Sequence, residues 1–479
     1  MRNSELSGMR VTIMGLGLHG GGVASARYCA DRGATVTVTD LRGEEVLRES
    51  VEALGSYPIR FVLGKHEERD FDRSDMVIKN PAVRRDVSLL TRSPRIETDI
   101  SLFLAEVSNP IVAITGTKGK SSTASAAHHI LKAYHPGAKL GGNITYSPLS
   151  FVEELAADSP VVLELSSFQL GDLAFVAYHN ALHGSRPTEF SPIHQPIDPT
   201  VAVITNIYRD HMDYYGNMEP YVADKKVIYR TQTGPWSLFS ATDGHGLDFA
   251  QEAPSRSLLV SADESDMGRE GLFERNGWGI LSMGKERVPL VPPELRVPGA
   301  HQRSNLLTAA GAAYVAGAPA ELVKARVAGF PGIPHRLAYV GSIGATRVYN
   351  DSASTIPEAA RAAVNSFKAP VHLICGGTDK GLDLEPLADA AATAKSVHLI
   401  AGGATDRLVP LLRRREIPYS GPYRELSRLL PAAVQQLNGE EGKAVLLFSP
   451  GCSSFELFDN EFHRGNQFVA ALNELGVSS

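Results

Sequence analysis

An α/β protein of two or three domains, built on mostly parallel sheets, is the fold class this sequence predicts, on three observations. At 479 residues the chain exceeds what one ordinary core holds. Short apolar runs alternate with helical stretches along its length, the order that puts helices on both faces of a parallel sheet. Several of those runs pass directly into Gly, Ser or Asn, which places polar groups at carboxyl ends of strands, where open sheets bind ligands.

Taken in order, "MRVTIMGLGLHGGG" is a strand entering a glycine turn, "VASARYCADRG" a helix, and "ATVTVTD" a second strand ending at Asp40. The runs "DMVIKN", "PIVAITG", "PVVLELS", "VAVITN", "PVHLICGG", "SVHLIAGG" and "KAVLLFSPG" supply further strands. "SLFLAEVSNP" reads as a linker between a first domain and the sheet that begins at "IVAITG". Gly and Pro cluster in "RVAGFPGIPHRL" after an Ala-rich helix and mark a second junction. "HNALHGSRPTEFSPIHQPIDPT" reads as a long inserted loop, and no internal repeat interrupts the pattern.

A content of 43% hydrophobic and 21% charged residues is that of a soluble globular chain. The net charge of -6, without a basic block, argues against a nucleic-acid partner. No apolar run approaches bilayer-spanning length, "MRNSELSGMRVTIMG" lacks a signal-peptide core, and Cys29, Cys375 and Cys452 are scattered. A cytoplasmic monomer with no membrane partner is the expectation.

The stretch "ITGTKGKSST" at 114–123 places a strand, a glycine turn and a helix start in order. Gly116 and Gly119 allow the tight turn and bring the N–H groups of the loop, with Thr117 and Lys118, close to phosphate oxygens. Lys120 is placed to reach the β- and γ-phosphates, and a hydroxyl of Ser121 or Ser122 to bind magnesium. The first glycine turn competes with it. Gly15, Gly17 and Gly20 fit G-x-G-x-x-G, with Asp40 about twenty residues further on. That pattern suits a nicotinamide or flavin dinucleotide, or any nucleotide carrying a diphosphate. A dinucleotide-dependent oxidoreductase leaves the ATP loop unexplained. Two nucleotide sites are therefore expected, one for ATP and one for a nucleotide-linked substrate.

Three further segments sharpen this: "LELSSFQL" at 163–170, "TNIYRDHMDYYG" at 205–216 and "YVADKKVIY" at 221–229. Glu164 and His211, each near a strand end, suit hard cations beside phosphate oxygens. In this order after an ATP loop, the residues resemble the Mur ligase family, ATP-dependent amide-forming enzymes of peptidoglycan precursor synthesis. "LELSSFQL" is similar to its glutamate-adding members. The resemblance extends over nearly the whole chain and is weakest over 171–200 and parts of 231–290.

The resemblance implies three domains: a Rossmann-like domain for the UDP substrate (1–108), a central P-loop ATPase domain with a mostly parallel sheet (109–331), and a Rossmann-like C-terminal ligase domain that binds ATP and glutamate (332–479). It implies ATP and two Mg2+ ions, with UDP-N-acetylmuramoyl-L-alanine and glutamate as substrates. D-glutamate is the default and L-glutamate the alternative. Leu18, His19, Asp40 and Arg42 sit where such enzymes hold the uridine, and Asn80 matches the next uracil-side loop. Asn143, Ser166 and Gln169 match positions for the diphosphate and sugar. Lys120 and Ser121 would take ATP phosphates, Glu164 would hold a first magnesium, and His211 with a carbamylated Lys225 a second. A carbamate turns an ammonium into an anion that ligates a metal. Asn305, Arg336 and Asp351 match ATP-side positions, while Thr355, Lys380 and Ser454 match the glutamate side.

The chain departs from the family's pattern at three places. Gln302 stands for an asparagine beside His301. Ala353 replaces the lysine of N-D-S-K-A-T, and Glu461 takes the place of a phenylalanine after Asn460. Losing a lysine removes a charge that meets a carboxylate or phosphate, so the last two changes bear on which amino acid is held.

Overall fold

A computed structural model describes residues 6–18, 20–144, 146–183, 196–262, 270–437 and 443–477 of the chain. Two compact units emerge, Met1–Pro293 with Ser304–Val327, and Glu294–Arg303 with Ala328–Ser479.

The first unit carries two sheets. In the smaller, β1 (Arg10–Met14), β2 (Thr35–Asp40), β3 (Arg60–Leu63), β4 (Met76–Lys79) and β5 (Ile96–Glu97) lie in the order β3-β2-β1-β4-β5, all parallel. Four of the five residues of β1 are buried, because helices cover both faces of such a sheet. The helix Gly21–Asp31 contributes Val23, Ala26, Tyr28 and Cys29 to that core.

The larger sheet is formed by β6 (Ile111–Thr115), β7 (Lys139–Gly142), β8 (Val161–Glu164), β9 (Val201–Ile204), β10 (Trp236–Ser240), β11 (Arg256–Val260), β12 (Gly271–Arg275), β13 (Trp278–Met283) and β14 (Glu286–Val291). Its order is β14-β13-β12-β11-β10-β9-β6-β8-β7, parallel from β7 through β12 and antiparallel over the last two pairings. Asn276 and Gly277, both at positive φ, make the two-residue turn between β12 and β13, the chemistry a tight hairpin demands.

The second unit holds β15 (Ala338–Ile343), β16 (Thr346–Asn350), β17 (Val371–Gly376), β18 (Ser396–Ile400), β19 (Ser420–Tyr423) and β20 (Val445–Phe448), ordered β15-β16-β20-β17-β18-β19. Only β15 runs antiparallel. Separate apolar clusters cover its two faces, one around Leu373 and Leu399 and one around Ile374 and Phe448.

All nine apolar runs expected as strands, the first two and the seven that follow, are strands. Two segments hold more helix than their composition suggests. "SLFLAEVSNP" is not a bare linker, because the helix Asp99–Glu106 occupies most of it. Thr98 Oγ1 accepts from Ser101 N–H at 3.0 Å while Ser101 Oγ accepts from Thr98 N–H at 2.7 Å, a capping box that starts the helix. Ile100, Leu102 and Phe103 then bury its apolar face. The stretch expected to be a loop from His179 onward begins as helix, since Ser167–Leu182 runs on into it; residues 184–195 lie outside those described. Loss of the cap in Thr98→Ala is expected to lower stability by about 1 kcal/mol in urea unfolding.

Candidate active site

β6 is buried along its whole length, after which the chain turns through Gly116–Gly119 and enters the helix Lys120–Tyr134. The turn is laced to the end of β9. Thr117 N–H donates to Asn206 O at 2.9 Å and Lys118 N–H to Asn206 Oδ1 at 2.8 Å. In return Asn206 Nδ2 and Thr205 Oγ1 donate to Lys118 O at 2.9 and 2.7 Å. Thr117 Oγ1 lies 2.9 Å from the Tyr221 hydroxyl. Gly119 sits at φ +86°, and a Cβ there would collide with the side-chain amide of Asn305, which the helix Ala300–Val315 presents to the loop. Only glycine meets both demands. The helix begins with no acidic residue in its first turn, leaving its positive end open to an anion.

Two ammonium groups converge on one carbonyl at this turn. Lys120 Nζ donates to Gly116 O and Thr117 O, each at 3.0 Å, and Lys225 Nζ donates to Gly116 O at 2.8 Å. Lys225, from the helix Met218–Arg230, is 2% exposed. Among the described residues neither makes an ion pair. Burial, with the Lys120 charge adding to it, pushes the Lys225 ammonium down to about 7. Burial lowers Lys120 as well, with the nearby Glu164 carboxylate opposing. Glu164, at the end of β8, accepts from Asn143 Nδ2 at 3.1 Å through Oε1, while its buried Oε2 has no hydrogen-bond partner. Lys118 Nζ reaches Asp210 at 3.2 Å beside His211, whose backbone is left-handed at φ 56°. The His211 ring meets Phe168 edge-on at 5.0 Å.

The candidate acceptor side lies in the same unit. Ser166 and Gln169 form the capping box of the helix Ser167–Leu182, with Gln169 Oε1 accepting from Ser166 N–H at 3.0 Å. Asp40 supports the first glycine turn: Oδ2 accepts from Gly17 N–H at 3.2 Å, and Arg42 clamps both carboxylate oxygens. Burial would raise the Asp40 carboxyl, but these hydrogen bonds outweigh it and hold it below the ordinary range. Asn80 follows β4 and turns its loop by accepting from Ala82 N–H at 3.0 Å. Leu18 is 52% exposed. His19 lies outside the described residues.

Arg336, Asp351, Thr355, Lys380 and Ser454 belong to the second unit. Asp351 accepts from Ser449 Oγ at 2.7 Å and Leu337 N–H at 3.0 Å, and burial pushes its carboxyl up to about 7. Arg336 is exposed, Thr355 half-buried, and Lys380 exposed with its Nζ 5.7 Å from the centre of the Phe455 ring. Ser454 is buried with a partnerless hydroxyl. Sequence reasoning missed Arg464, whose guanidinium is fully buried. It donates to Ser352 Oγ and O at 3.0 and 2.8 Å and to the carbonyls of Cys452 and Ser453 at 3.0 Å each. It ties the loop bearing Asp351 and Thr355 to the loop bearing Ser454. A basic residue in "FHRG" offered no pattern that distinguishes a buried fork from a surface charge. Glu461, one of the departures, starts the helix Glu461–Glu474, where a carboxylate suits the helix dipole.

The chain is similar to several known proteins. A profile described as the Mur ligase middle domain matches residues 114–313. UDP-N-acetylmuramoylalanine–D-glutamate ligase of Treponema pallidum (strain Nichols) is 40% identical, with 97% of each chain covered. The Mur ligase family is where this chain belongs. Proteins of the same name from Borreliella burgdorferi (strain ZS7) and Roseiflexus sp. (strain RS-1) are 37% and 35% identical over 98% and 97% of the chain, and over 99% and 98% of their own lengths. Among solved structures, UDP-N-acetylmuramate-alanine ligase of Thermotoga maritima shares the fold at a TM-score of 0.53 and 18% identity, covering 98% of this chain and all of that one. MurF of Acinetobacter baumannii does so at 0.54 and 14%, covering 97% and 94%.

For this Mur ligase family member a magnesium site is not pre-built from protein carboxylates. Among the described residues no three His, Cys, Asp or Glu side chains cluster as ligands. The donor set fits magnesium nonetheless, since that ion takes one or two carboxylates plus substrate phosphates. The partnerless Glu164 Oε2 is such a donor. Lys225 gives the site a pH signature. Its folded-state value of about 7 lies below the unfolded value of about 10.4, so in between the unfolded chain binds more protons. Stability therefore rises with pH across that window. Between pH 7 and 9 in CO2-free buffer, wild type is expected to gain about 2 kcal/mol relative to Lys225→Met in denaturant unfolding.

Proposed function

We infer that this protein is an ATP-dependent ligase that adds D-glutamate to UDP-N-acetylmuramoyl-L-alanine through an acyl phosphate, a step of cytoplasmic peptidoglycan precursor synthesis. The observation that carries it is the pair of ammonium groups on the Gly116 carbonyl, flanked by a carboxylate oxygen without a partner. The half-buried Lys120 ammonium and an open helix N-terminus call for negative charge nearby, and a triphosphate supplies it. The names of the full-length relatives supply the acceptor and the amino acid. A dinucleotide oxidoreductase finds no support, because the full-length relatives carry a ligase name and a Mur ligase profile matches the middle of the chain. The L-glutamate alternative finds none either, since the relatives carry the D-glutamate name.

A carboxylate repels nucleophiles, so the acceptor must be activated. In the proposed sequence an oxygen of the alanyl carboxylate attacks the γ-phosphorus and ADP leaves. Lys120 follows the charge on the transferring oxygens, while the N–H groups at the start of its helix hold the phosphates. The amine of glutamate then attacks the acyl carbon, and phosphate departs with the carboxylate oxygen. Glu164, His211 and carbamylated Lys225 would hold two Mg2+ ions, which neutralise phosphate charge when bound. A Lys225 amine near neutrality at physiological pH is the form that reacts with CO2, so its burial prepares the carbamate. Asn143, Ser166, Gln169, Asn80 and Leu18 serve the UDP-linked acceptor. Thr355, Lys380 and Ser454 serve glutamate, and Arg336 and Asp351 serve ATP. The three sheets then correspond to acceptor, ATPase and amino-acid domains.

Phosphate release is the test, measured with ATP, UDP-N-acetylmuramoyl-L-alanine and a panel of D- and L-amino acids. Turnover is expected only with acceptor and D-glutamate together. Lys120→Ala is expected to lose about 10²–10³ in rate or more while keeping its melting temperature. Release that ignores the acceptor, or an undiminished Lys120→Ala, overturns the assignment.

A further inference from the structure

The first unit holds a charge network, buried at one end and half-buried at the other, that the chemistry above does not use. Lys79, the last residue of β4, is fully buried and donates to Asp172 Oδ2 at 2.5 Å. Asp172 lies on the helix that Ser166 caps and that also carries Gln169. Arg85, in the loop that starts at Asn80, stands 3.8 Å from Asp172 Oδ1 and forks onto Asp224, with contacts of 3.2 and 2.5 Å. Asp224 immediately precedes Lys225 and also accepts from the Tyr215 hydroxyl at 2.9 Å. The Tyr215 ring stacks on Phe168, 5.6 Å between centroids, and Phe168 in turn meets His211.

A glycine makes room for the crossing. Gly171 lies inside the helix Ser167–Leu182, where glycine costs about 1 kcal/mol relative to alanine. A Cβ at this position would collide with the Asp224 carboxylate and come within 2.6 Å of Arg85 Nη1. The atoms it would strike are the ends of two ion-paired side chains. Alanine at 171 therefore strengthens the helix and pushes the fork off its partner.

We propose that the Lys79–Asp172–Arg85–Asp224 network is a positioning device, with Arg85 at its hub, that sets Lys225 against the phosphate loop from the loop that carries Asn80. It deepens the ligase reading and rests on Lys225 holding a cation beside ATP. The loop expected to meet the acceptor and the helix expected to meet the metal thus share one buried anchor. Arg85 touches no reacting atom, and the planar fork rather than the charge alone does the positioning.

Gly171→Ala and Arg85→Lys in the full-length chain test this, by steady-state kinetics with Mg2+ titration and by thermal unfolding. In Gly171→Ala the apparent Mg2+ activation constant is expected to rise by about tenfold or more, with kcat falling. The KM for UDP-N-acetylmuramoyl-L-alanine is expected to stay within about twofold, and the melting temperature not to fall. Arg85→Lys, which keeps the charge and loses the fork, is expected to move the Mg2+ constant in the same direction. Wild-type Mg2+ dependence in both variants overturns the proposal, as does a rate loss matched by lost stability with no change in Mg2+ dependence. A wild-type enzyme that shows no acceptor-dependent turnover overturns the ligase reading instead.

Discussion

The carbonyl of Gly116 accepts from two lysines at once, and the site is arranged around that excess of positive charge. Like charges sharing one acceptor repel each other, and burial strengthens the repulsion by removing water. The ordinary compensation, a carboxylate in contact with each ammonium, is missing among the described residues. Burial lowers the proton affinity of both lysines, and the nearby Glu164 charge opposes the drop at Lys120. Such a loop is costly in isolation and well matched to a polyanion.

The sheets explain why these groups meet. β6, β8 and β9 are adjacent and parallel, so their carboxyl ends open on one edge. The phosphate turn leaves β6, Glu164 ends β8, and Thr205 and Asn206 follow β9. Hydrogen bonds from Asn206 hold the turn to its neighbour before any ligand arrives, the preorganisation that phosphoryl transfer rewards. In the second unit the same logic operates through a buried guanidinium. Arg464 satisfies carbonyls in two loops that carry Asp351, Thr355 and Ser454.

Much of this was legible because parallel strands buried on both faces announce themselves as unbroken apolar runs, and each of the nine named is a strand. The turn at Gly116–Gly119 was equally plain as structure, since its glycines stand between an apolar strand and a helix start. What escaped depended on distance in sequence. Lys79, Asp172 and Asp224 are unremarkable alone, and they become one network only because the helices Ser167–Leu182 and Met218–Arg230 pack together while the end of β4 meets the first of them. Arg464 was hidden for the same reason. The hairpin at Asn276–Gly277 is different, because Asn-Gly between apolar segments is a strong local turn signal in its own right. The helix at Asp99 was masked by a linker-like composition, although Thr98 and Ser101 hold its cap.

The central claim is that ATP activates the acceptor's carboxylate and not water. Oxygen-18 placed in the alanyl carboxylate of UDP-N-acetylmuramoyl-L-alanine follows the bonds directly. If an acyl phosphate forms and glutamate's amine displaces it, each phosphate released carries one labelled oxygen, seen as an isotope shift in its phosphorus spectrum. Unlabelled phosphate accompanied by amide product would contradict the account, because the γ-phosphoryl group would then never have been joined to the carboxylate.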